Sequence, residues 1–175
     1  IFCQKNKTMK DNFFLILSPS EWSDNAVSNM QISAILSKNN KVVYVETIGT
    51  RLPKISEWRR VVGRILNFFV SNKIKKNTRG LDPLNVKIIS PLAIPFHRNK
   101  FINKVNVFLI RFQLRKYIKI KEKIYIWSFS PIWENFINTI PNKFRIFHCV
   151  DALHAYDDTH NYQSLFYEAL KKSDV

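Results

Sequence analysis

The chain has 175 residues, a length that suits one domain with a sizeable core. It is 46% hydrophobic with three glycines and seven prolines, which excludes disordered and low-complexity chains. No apolar run reaches the ~18 residues of a transmembrane helix. Two cysteines without framework spacing exclude a disulfide scaffold and fit a reducing, cytosolic compartment. The formal net charge of +15 points to anionic partners.

Hydrophobic periodicity predicts five strands that alternate with five helices. The predicted strands are Phe13–Leu17, Lys41–Glu46, Val86–Ser90, Ile124–Trp127 and Phe144–Val150. The predicted helices are Ala26–Ser37, Glu57–Asn72, Asn99–Lys119, Trp133–Ile140 and Tyr162–Lys172. This alternation is typical of βαβ crossovers. It predicts an α/β fold with a Rossmann-like, mostly parallel sheet flanked by helices.

Both ends of the chain lie outside this regular pattern. Met9 comes shortly before the first strand, so we expect residues 1–12 to be a poorly ordered or non-native leader. Residues 13–175 form the predicted domain. Ser173–Val175 follow the last helix, where a new strand would begin, and we expect a domain that is truncated before a second one.

The loop after the first strand lacks the glycines of known nucleotide folds. It reads Ser18-Pro19-Ser20-Glu21-Trp22, where a dinucleotide fold carries G-x-G-x-x-G. A P-loop motif and a G-x-S-x-G nucleophile elbow are also absent from the sequence. The sequence therefore argues against nicotinamide, flavin and P-loop nucleotide chemistry, and it lacks the signature of a nucleophile-elbow hydrolase.

The positive charge is concentrated in one segment. Arg51–Lys123 holds 19 Lys and Arg against 3 Asp and Glu, a net charge of +16, and the remaining residues sum to −1. On the predicted helix Asn99–Lys119 one face carries the basic residues Lys104, Arg111, Arg115 and Lys119, and another carries Phe101, Val105, Phe108 and Phe112.

Three interpretations of this segment compete: an anionic membrane surface, a nucleic acid, and a compositional bias toward Lys, Asn and Ile. Confinement of the charge to one segment favours the membrane. No nucleic-acid-binding motif accompanies the charge, and we expect no nucleic-acid partner.

Three short motifs suggest a family. They are Trp22 with Asn29-Met30-Gln31, then Val42–Glu46 followed by Gly49, Arg51 and Pro53, and finally Phe147–Ala152. In these motifs the chain resembles the N-terminal half of GT-B glycosyltransferases. Within that fold it resembles the retaining bacterial enzymes that build cell-surface polysaccharides. It departs from their pattern at Asn29, which stands for an Arg, and at His148 and Ala152, which stand for acidic residues. Of the acidic motif, only Asp151 remains.

The resemblance implies one half of a two-domain GT-B architecture whose cleft binds the substrates. This half would contact a sugar or lipid-linked acceptor, and a C-terminal domain absent from the sequence would hold the nucleotide-sugar donor. We expect no cofactor in this half and no metal. The resemblance and the basic segment together suggest a cytoplasmic protein, peripheral on the inner face of the plasma membrane.

Ligands of open parallel sheets bind at the carboxyl ends of the strands, which selects the candidate residues. Asp151 is the candidate catalytic base, with helix N-capping as the alternative role. The candidate acceptor contacts at these ends are Ser18, Trp22, Ser128, Ser130, Trp133 and His154, and the resemblance adds Asn29 and Gln31. Core packing is the alternative for the tryptophans and helix capping for the serines. The loop that contains His154, Asp157, Asp158 and His160 has residue types that bind metals, but loops of this kind are more often solvated.

Two functional hypotheses follow. In the first, the chain is a fragment of a glycosyltransferase that moves a sugar from a nucleotide to a membrane-associated or polysaccharide acceptor, and the fragment alone is inactive. In the alternative, it is a non-catalytic basic α/β module that binds an anionic membrane or a partner protein.

Overall fold

The structure is a computed structural model, and it describes residues 10–23, 27–47, 86–94, 100–118, 123–141, 143–150 and 162–175. The strands are β1 (Phe13–Leu17), β2 (Lys41–Val45), β3 (Val86–Ile89), β4 (Ile124–Ser128) and β5 (Lys143–Phe147). The helices are α1 (Ser28–Ser37), α2 (Lys100–Leu114), α3 (Glu134–Ile137) and α4 (Tyr162–Lys172), and a 3₁₀ turn at Pro131–Trp133 precedes α3. The helix predicted at Glu57–Asn72 lies outside the described residues.

The five strands form one sheet in the order β3-β2-β1-β4-β5, and every described pair is parallel. Helices flank the sheet on both faces, so the predicted Rossmann-like α/β fold is confirmed. The central strand β1 is buried at all five positions because it is covered on both faces, as parallel strands usually are.

Alternation along the strands divides the core into two layers. One layer contains Leu15, Leu17 and Val43 and packs against α2 and α3. The other contains Phe14 and Ile16 and packs against α1. Helices α1 and α2 therefore lie on opposite faces of the sheet, and their exposed surfaces belong to opposite sides of the molecule.

A buried ion pair joins α3 to the edge strand β5. The guanidinium Nη2 of Arg145 donates to Glu134 Oε2, and both side chains are buried. Arg145 Nη1 also lies 3.4 Å from Asn138 Oδ1, at the end of α3. An apolar residue at either position would leave the other charge buried without its counter-ion, so the pair fixes how α3 docks.

The helix predicted at Trp133–Ile140 is shorter than expected. Its first turn is the 3₁₀ turn, with Pro131 at the first position, and only Glu134–Ile137 is α-helical. The next residues close in short turns, with Thr139 N donating to Phe136 O at 3.0 Å. Pro141 lacks the backbone N–H that a continuing helix needs, which explains the early end.

Two residues that precede the predicted boundary at residue 13 bond to the segment that leads into β2. Asp11 N donates to Asn39 O at 2.9 Å, and Lys41 N donates to Asn12 O at 2.9 Å. Asp11 and Asn12 are therefore tied to the segment that leads into β2. Residues 1–9 lie outside the described part.

The last residue pairs with the edge strand. Phe147 N donates to Val175 O at 3.1 Å, and Val175 N donates to Arg145 O at 3.3 Å. One residue that bonds to positions two apart on its neighbour has the pattern of a parallel ladder.

Candidate functional site

The order of the sheet locates the most favourable ligand edge. From β1 the chain moves to β2 on one side, and it later returns to β4 on the other side. Such a switch point opens a crevice outside the carboxyl ends of the two central strands, where ligands of open α/β sheets bind. The residues that leave β1 and β4, Ser18 and Ser128–Ser130, meet there.

Ser18 is the centre of a buried hydrogen-bond network at this edge. Its Oγ accepts from Asn29 Nδ2 at 2.8 Å, from Tyr44 OH at 2.7 Å and from Ser20 N at 2.9 Å. It donates in turn to Ser20 O at 2.9 Å. The side chain is fully buried and its bonds are internal, so Ser18 shapes the loop that follows β1.

Tyr44 brings the phenol of β2 into the same network. Burial raises the pKa of Tyr44, while the hydrogen bonds to Ser18 and Ser20 oppose that rise. The ring of Trp22 meets Tyr44 edge-on at 4.9 Å between ring centroids and stays half-buried. Trp22 is thus held at the rim with part of its ring accessible to a ligand.

Glu46 holds the same rim together from the end of β2. Its Oε1 accepts from Trp22 N at 2.9 Å, and its Oε2 accepts from the hydroxyl of Ser90, the residue that follows β3. The carboxylate is buried and both of its oxygens are engaged. The sequence analysis did not single out Glu46 as a site residue, although an acid that ends an apolar strand is a usable signal for such a role.

The residues that follow β4 are also buried. Ser128 Oγ donates to Ser130 O at 2.9 Å, and neither serine is exposed. Trp133 is fully buried, and its Nε1 donates to Ser18 O at 3.3 Å. These three predicted acceptor contacts therefore connect the loops that follow β4 and β1 through buried hydrogen bonds. The ring of Trp133 has no exposed surface on which a sugar could stack.

Asn29 and Gln31 of α1 differ in exposure. Asn29 is buried, and its Oδ1 is one of three buried side-chain atoms without a hydrogen-bond partner in the described part. Gln31 is exposed. Only Gln31 of this pair has an exposed side chain, whereas Asn29 serves the Ser18 network.

Three aromatic rings stack beside the crevice. Phe129 lies 6.1 Å from Trp127 and 4.9 Å from His148 between centroids, with the ring planes within 25° of parallel. Trp127 and His148 are half-buried. The three rings lie at the carboxyl ends of β4 and β5, and His148 precedes Asp151 by three residues in the sequence.

Asp151 and His154, the predicted base and one predicted acceptor contact, lie outside the described residues. Within residues 10–23, 27–47, 86–94, 100–118, 123–141, 143–150 and 162–175, no three His, Cys, Asp or Glu side chains come together as metal ligands would.

A second candidate surface is the outward face of α2. Phe101, Phe108 and Phe112 expose 73%, 68% and 46% of their surface. With about 3.6 residues per turn, these positions lie opposite the buried Ile110 and Leu114. We refer to the three phenylalanines as the α2 phenylalanine face.

Two amides fix the rotation of α2 about its axis. Asn106 exchanges two hydrogen bonds with the backbone of Ile94, at 2.7 and 2.9 Å. Gln113, two turns further on, does the same with Leu92, at 2.8 and 3.0 Å. These bonds satisfy the segment after β3 and hold the phenylalanine face toward solvent. The sequence analysis missed both amides, which stand seven positions apart on the buried side of the helix.

Basic side chains border this face. Lys104, Arg111 and Arg115 are exposed, and the Arg115 guanidinium lies 4.0 Å from the centroid of the Phe112 ring. Arg111 also donates to the backbone oxygen of Thr139 at 3.2 Å, which draws it toward α3. Lys119, the fourth predicted membrane contact, lies outside the described residues.

Comparison with known proteins adds no assignment. No protein-family model, no curated protein and no solved structure matches the chain. Among the described helices, none combines the length and the apolar character needed to cross a bilayer. A functional conclusion therefore depends on the two candidate surfaces.

Proposed function

We propose that this chain binds the surface of an anionic membrane, and that it does so as the acceptor-side domain of a GT-B glycosyltransferase. The observation that carries the proposal is the α2 phenylalanine face, three exposed aromatic rings bordered by basic side chains. An apolar stripe beside Lys and Arg is the pattern of helices that lie in the membrane interface.

The magnitudes favour a membrane over a solvated face. The exposed fractions of the three rings sum to about 1.9 phenylalanines. Full burial of one such side chain stabilises by about 1.5–3 kcal/mol, so complete insertion would contribute roughly 3–6 kcal/mol. Each basic residue near an anionic surface adds about 1 kcal/mol. Between Asp82 and Glu122 the sequence has no acidic residue to oppose this attraction.

Substitutions on α2 test the membrane proposal. Phe108→Ser with Phe112→Ser removes about 1.1 exposed rings. It should weaken binding to anionic vesicles at least about tenfold, since the loss approaches 1.5–3 kcal/mol on full insertion. The matched control is Val27→Ser with Ile35→Ser. These residues are 44% and 65% exposed, and they lie at the N-cap of α1 and within it, on the opposite face of the sheet.

In vesicle co-sedimentation the control should bind like the parent chain. Equal losses for the two double variants would mean that any exposed apolar side chain contributes, and the α2 phenylalanine face would lose its special role. Neutralising Lys104, Arg111, Arg115 and Lys119 should cost up to about 4 kcal/mol of binding if all four face the lipid. The bond from Arg111 to Thr139 makes a smaller loss the expected result.

The transferase part of the proposal is supported by the sheet and its switch point. Trp22 and His148 are half-buried aromatic rings at the carboxyl edge of the sheet, suited to stacking on a sugar. Asp151, four residues after the end of β5 in the sequence, would accept the proton of the attacking acceptor hydroxyl. A second domain would hold the nucleotide-sugar donor and stabilise the leaving diphosphate, so the proposal assigns no cofactor or metal to this half.

The alternative is a non-catalytic module that binds an anionic membrane or a partner protein. The observation that favours it is the burial of Ser18, Ser128 and Trp133. Ser128 Oγ donates to Ser130 O and Trp133 Nε1 donates to Ser18 O, so these side chains offer no free donor to a ligand. Both hypotheses use the same α2 surface, so membrane binding alone does not separate them.

Turnover separates the two hypotheses. The 175-residue chain should show no sustained transfer or hydrolysis with UDP-, GDP- or TDP-sugars, because the proposal places the donor site in another domain. A protein extended by the coding sequence after Val175 should transfer sugar to a lipid-linked acceptor. Turnover by the 175-residue chain would contradict the proposal that the donor site lies in another domain. A stop codon directly after Val175 would favour the non-catalytic module.

A further inference from the structure

A cavity lies at the amino end of the sheet, opposite the candidate acceptor edge. Its volume is about 660 Å³, within the usual range of small-molecule sites. The start of β2, Lys87 of β3 and the turn after α2 contribute to its walls. The described lysines that line it are Lys10, Lys38, Lys41, Lys87 and Lys116.

Hydrogen bonds between two chain segments build one wall. Asn12 N donates to Asn40 Oδ1 at 3.1 Å, and Asn40 Nδ2 donates to Leu36 O at 3.0 Å. The backbone bonds from Asp11 to Asn39 and from Lys41 to Asn12 close the same contact. Three of the five lysines belong to these tied segments, so their backbone positions are fixed before a ligand arrives.

The other wall comes from the opposite side of the cavity. Lys87 is half-buried on β3 and pairs in register with Val43, so its side chain leaves the sheet on the face that α2 covers. Lys116 follows the end of α2, and its ammonium lies 5.1 Å from the ring of Tyr117, which also lines the cavity. Phe13 and Val43 supply an apolar floor.

The charges around the cavity are unbalanced. Asp11 is the only acidic side chain among the described lining residues. None of the five ammonium groups has a salt-bridge partner among the described residues, where the ion pairs are Arg145–Glu134 and Lys172–Glu168. Five lysines against one aspartate make the lining of the cavity electropositive, which favours a bound polyanion.

We propose that this cavity binds a phosphate-bearing polyanion. Lysine ammonium groups act as compact point charges that bind phosphate without a fixed geometry, which suits five of them around one cavity. The apolar floor suits a ligand that also carries a carbon skeleton. The ligand is either a lipid headgroup, since the cavity adjoins the end of α2, or a soluble phosphate compound.

Calorimetric titration with sodium tripolyphosphate tests the site. The variant Lys41→Gln, Lys87→Gln, Lys116→Gln should bind at least about tenfold more weakly, because each lost charge-assisted bond contributes more than a neutral one. The control Lys123→Gln, Lys171→Gln, Lys172→Gln loses the same charge at exposed positions that neither line the cavity nor belong to the α2 surface, and it should bind within about threefold of the parent chain. Absence of binding by the parent, or equal weakening in both variants, would overturn the proposal.

Lysine acetylation read by mass spectrometry gives a second test that needs no substitution. Tripolyphosphate should protect Lys41, Lys87 and Lys116 in the parent chain and leave Lys104 reactive, and uniform reactivity would overturn the proposal. Vesicles of phosphatidic acid then distinguish the source of the ligand. Competition between tripolyphosphate and these vesicles supports a site for a headgroup, and its absence supports a site for a soluble phosphate compound.

Discussion

Replacement of Ser18 by alanine is the sharpest test of the network at the carboxyl edge. The Ser18 hydroxyl oxygen accepts hydrogen bonds from Asn29, Tyr44 and Ser20 at 2.7–2.9 Å. Without it three donors lose their acceptor, and a buried donor left without one costs about 1–3 kcal/mol. Asn29 keeps an alternative acceptor in Ser20 Oγ at 3.4 Å, which reduces the total. We expect the free energy of unfolding to fall by about 3 kcal/mol.

Urea denaturation measures this loss. The matched control is Ser128→Ala, a buried serine at the end of β4 whose hydroxyl makes a single described bond, to Ser130 O. It should cost about 1 kcal/mol. The Ser18 bond also opposes the rise in the pKa of Tyr44, so Ser18→Ala should raise that pKa further in a tyrosinate absorbance titration. If Ser18→Ala lowers the free energy of unfolding by about 1 kcal/mol or less, no more than the control does, the account of the network is refuted.

Three further predictions concern pH, the buried ion pair and the proposed base. Burial raises the pKa of Tyr44 and Tyr162, so the unfolded chain gives up these protons first. The free energy of unfolding should therefore be unaffected by them below about pH 10 and should fall above it, as urea midpoints between pH 8 and 11 would show. Arg145→Met should cost about 3–5 kcal/mol because it leaves Glu134 buried without its counter-ion. Addition of Glu134→Leu should recover most of that loss, and two additive losses would contradict the pairing. Asp151→Asn in a catalytically active, extended protein should lower turnover by roughly 10²-fold with an unchanged melting temperature. Normal turnover with a lower melting temperature would instead indicate a capping role.

The fold could be predicted because its signals are local. The run Phe13–Leu17 is apolar throughout, which is typical of a strand covered on both faces, and its predicted bounds are those of the structure. The same holds for the helix Tyr162–Lys172. Three elements are shorter than predicted. The helix expected at Asn99–Lys119 ends at Leu114, the strand expected at Phe144–Val150 ends at Phe147, and the helix expected at Trp133–Ile140 is α-helical only over Glu134–Ile137, ahead of Pro141.

The candidate site was less predictable because exposure depends on tertiary packing. A serine after a strand looks the same in sequence whether it faces a ligand, as was expected of Ser18, or accepts a bond from Tyr44. The α2 phenylalanine face was suggested by spacing, but its exposure follows from the bonds of Asn106 and Gln113 to a distant segment. The lysine cavity joins residues far apart in the chain, so no spacing rule finds it.

Vesicle co-sedimentation of the parent chain tests the central claim, membrane binding through α2, most directly. At 0.1 M salt, binding to anionic vesicles should exceed binding to neutral ones at least about tenfold. It should weaken as the Debye length shortens from about 10 Å at 0.1 M to about 3 Å at 1 M salt. Equal binding to both kinds of vesicle, or no binding to either, would contradict the account and leave the exposed phenylalanines and their basic neighbours as a solvated face.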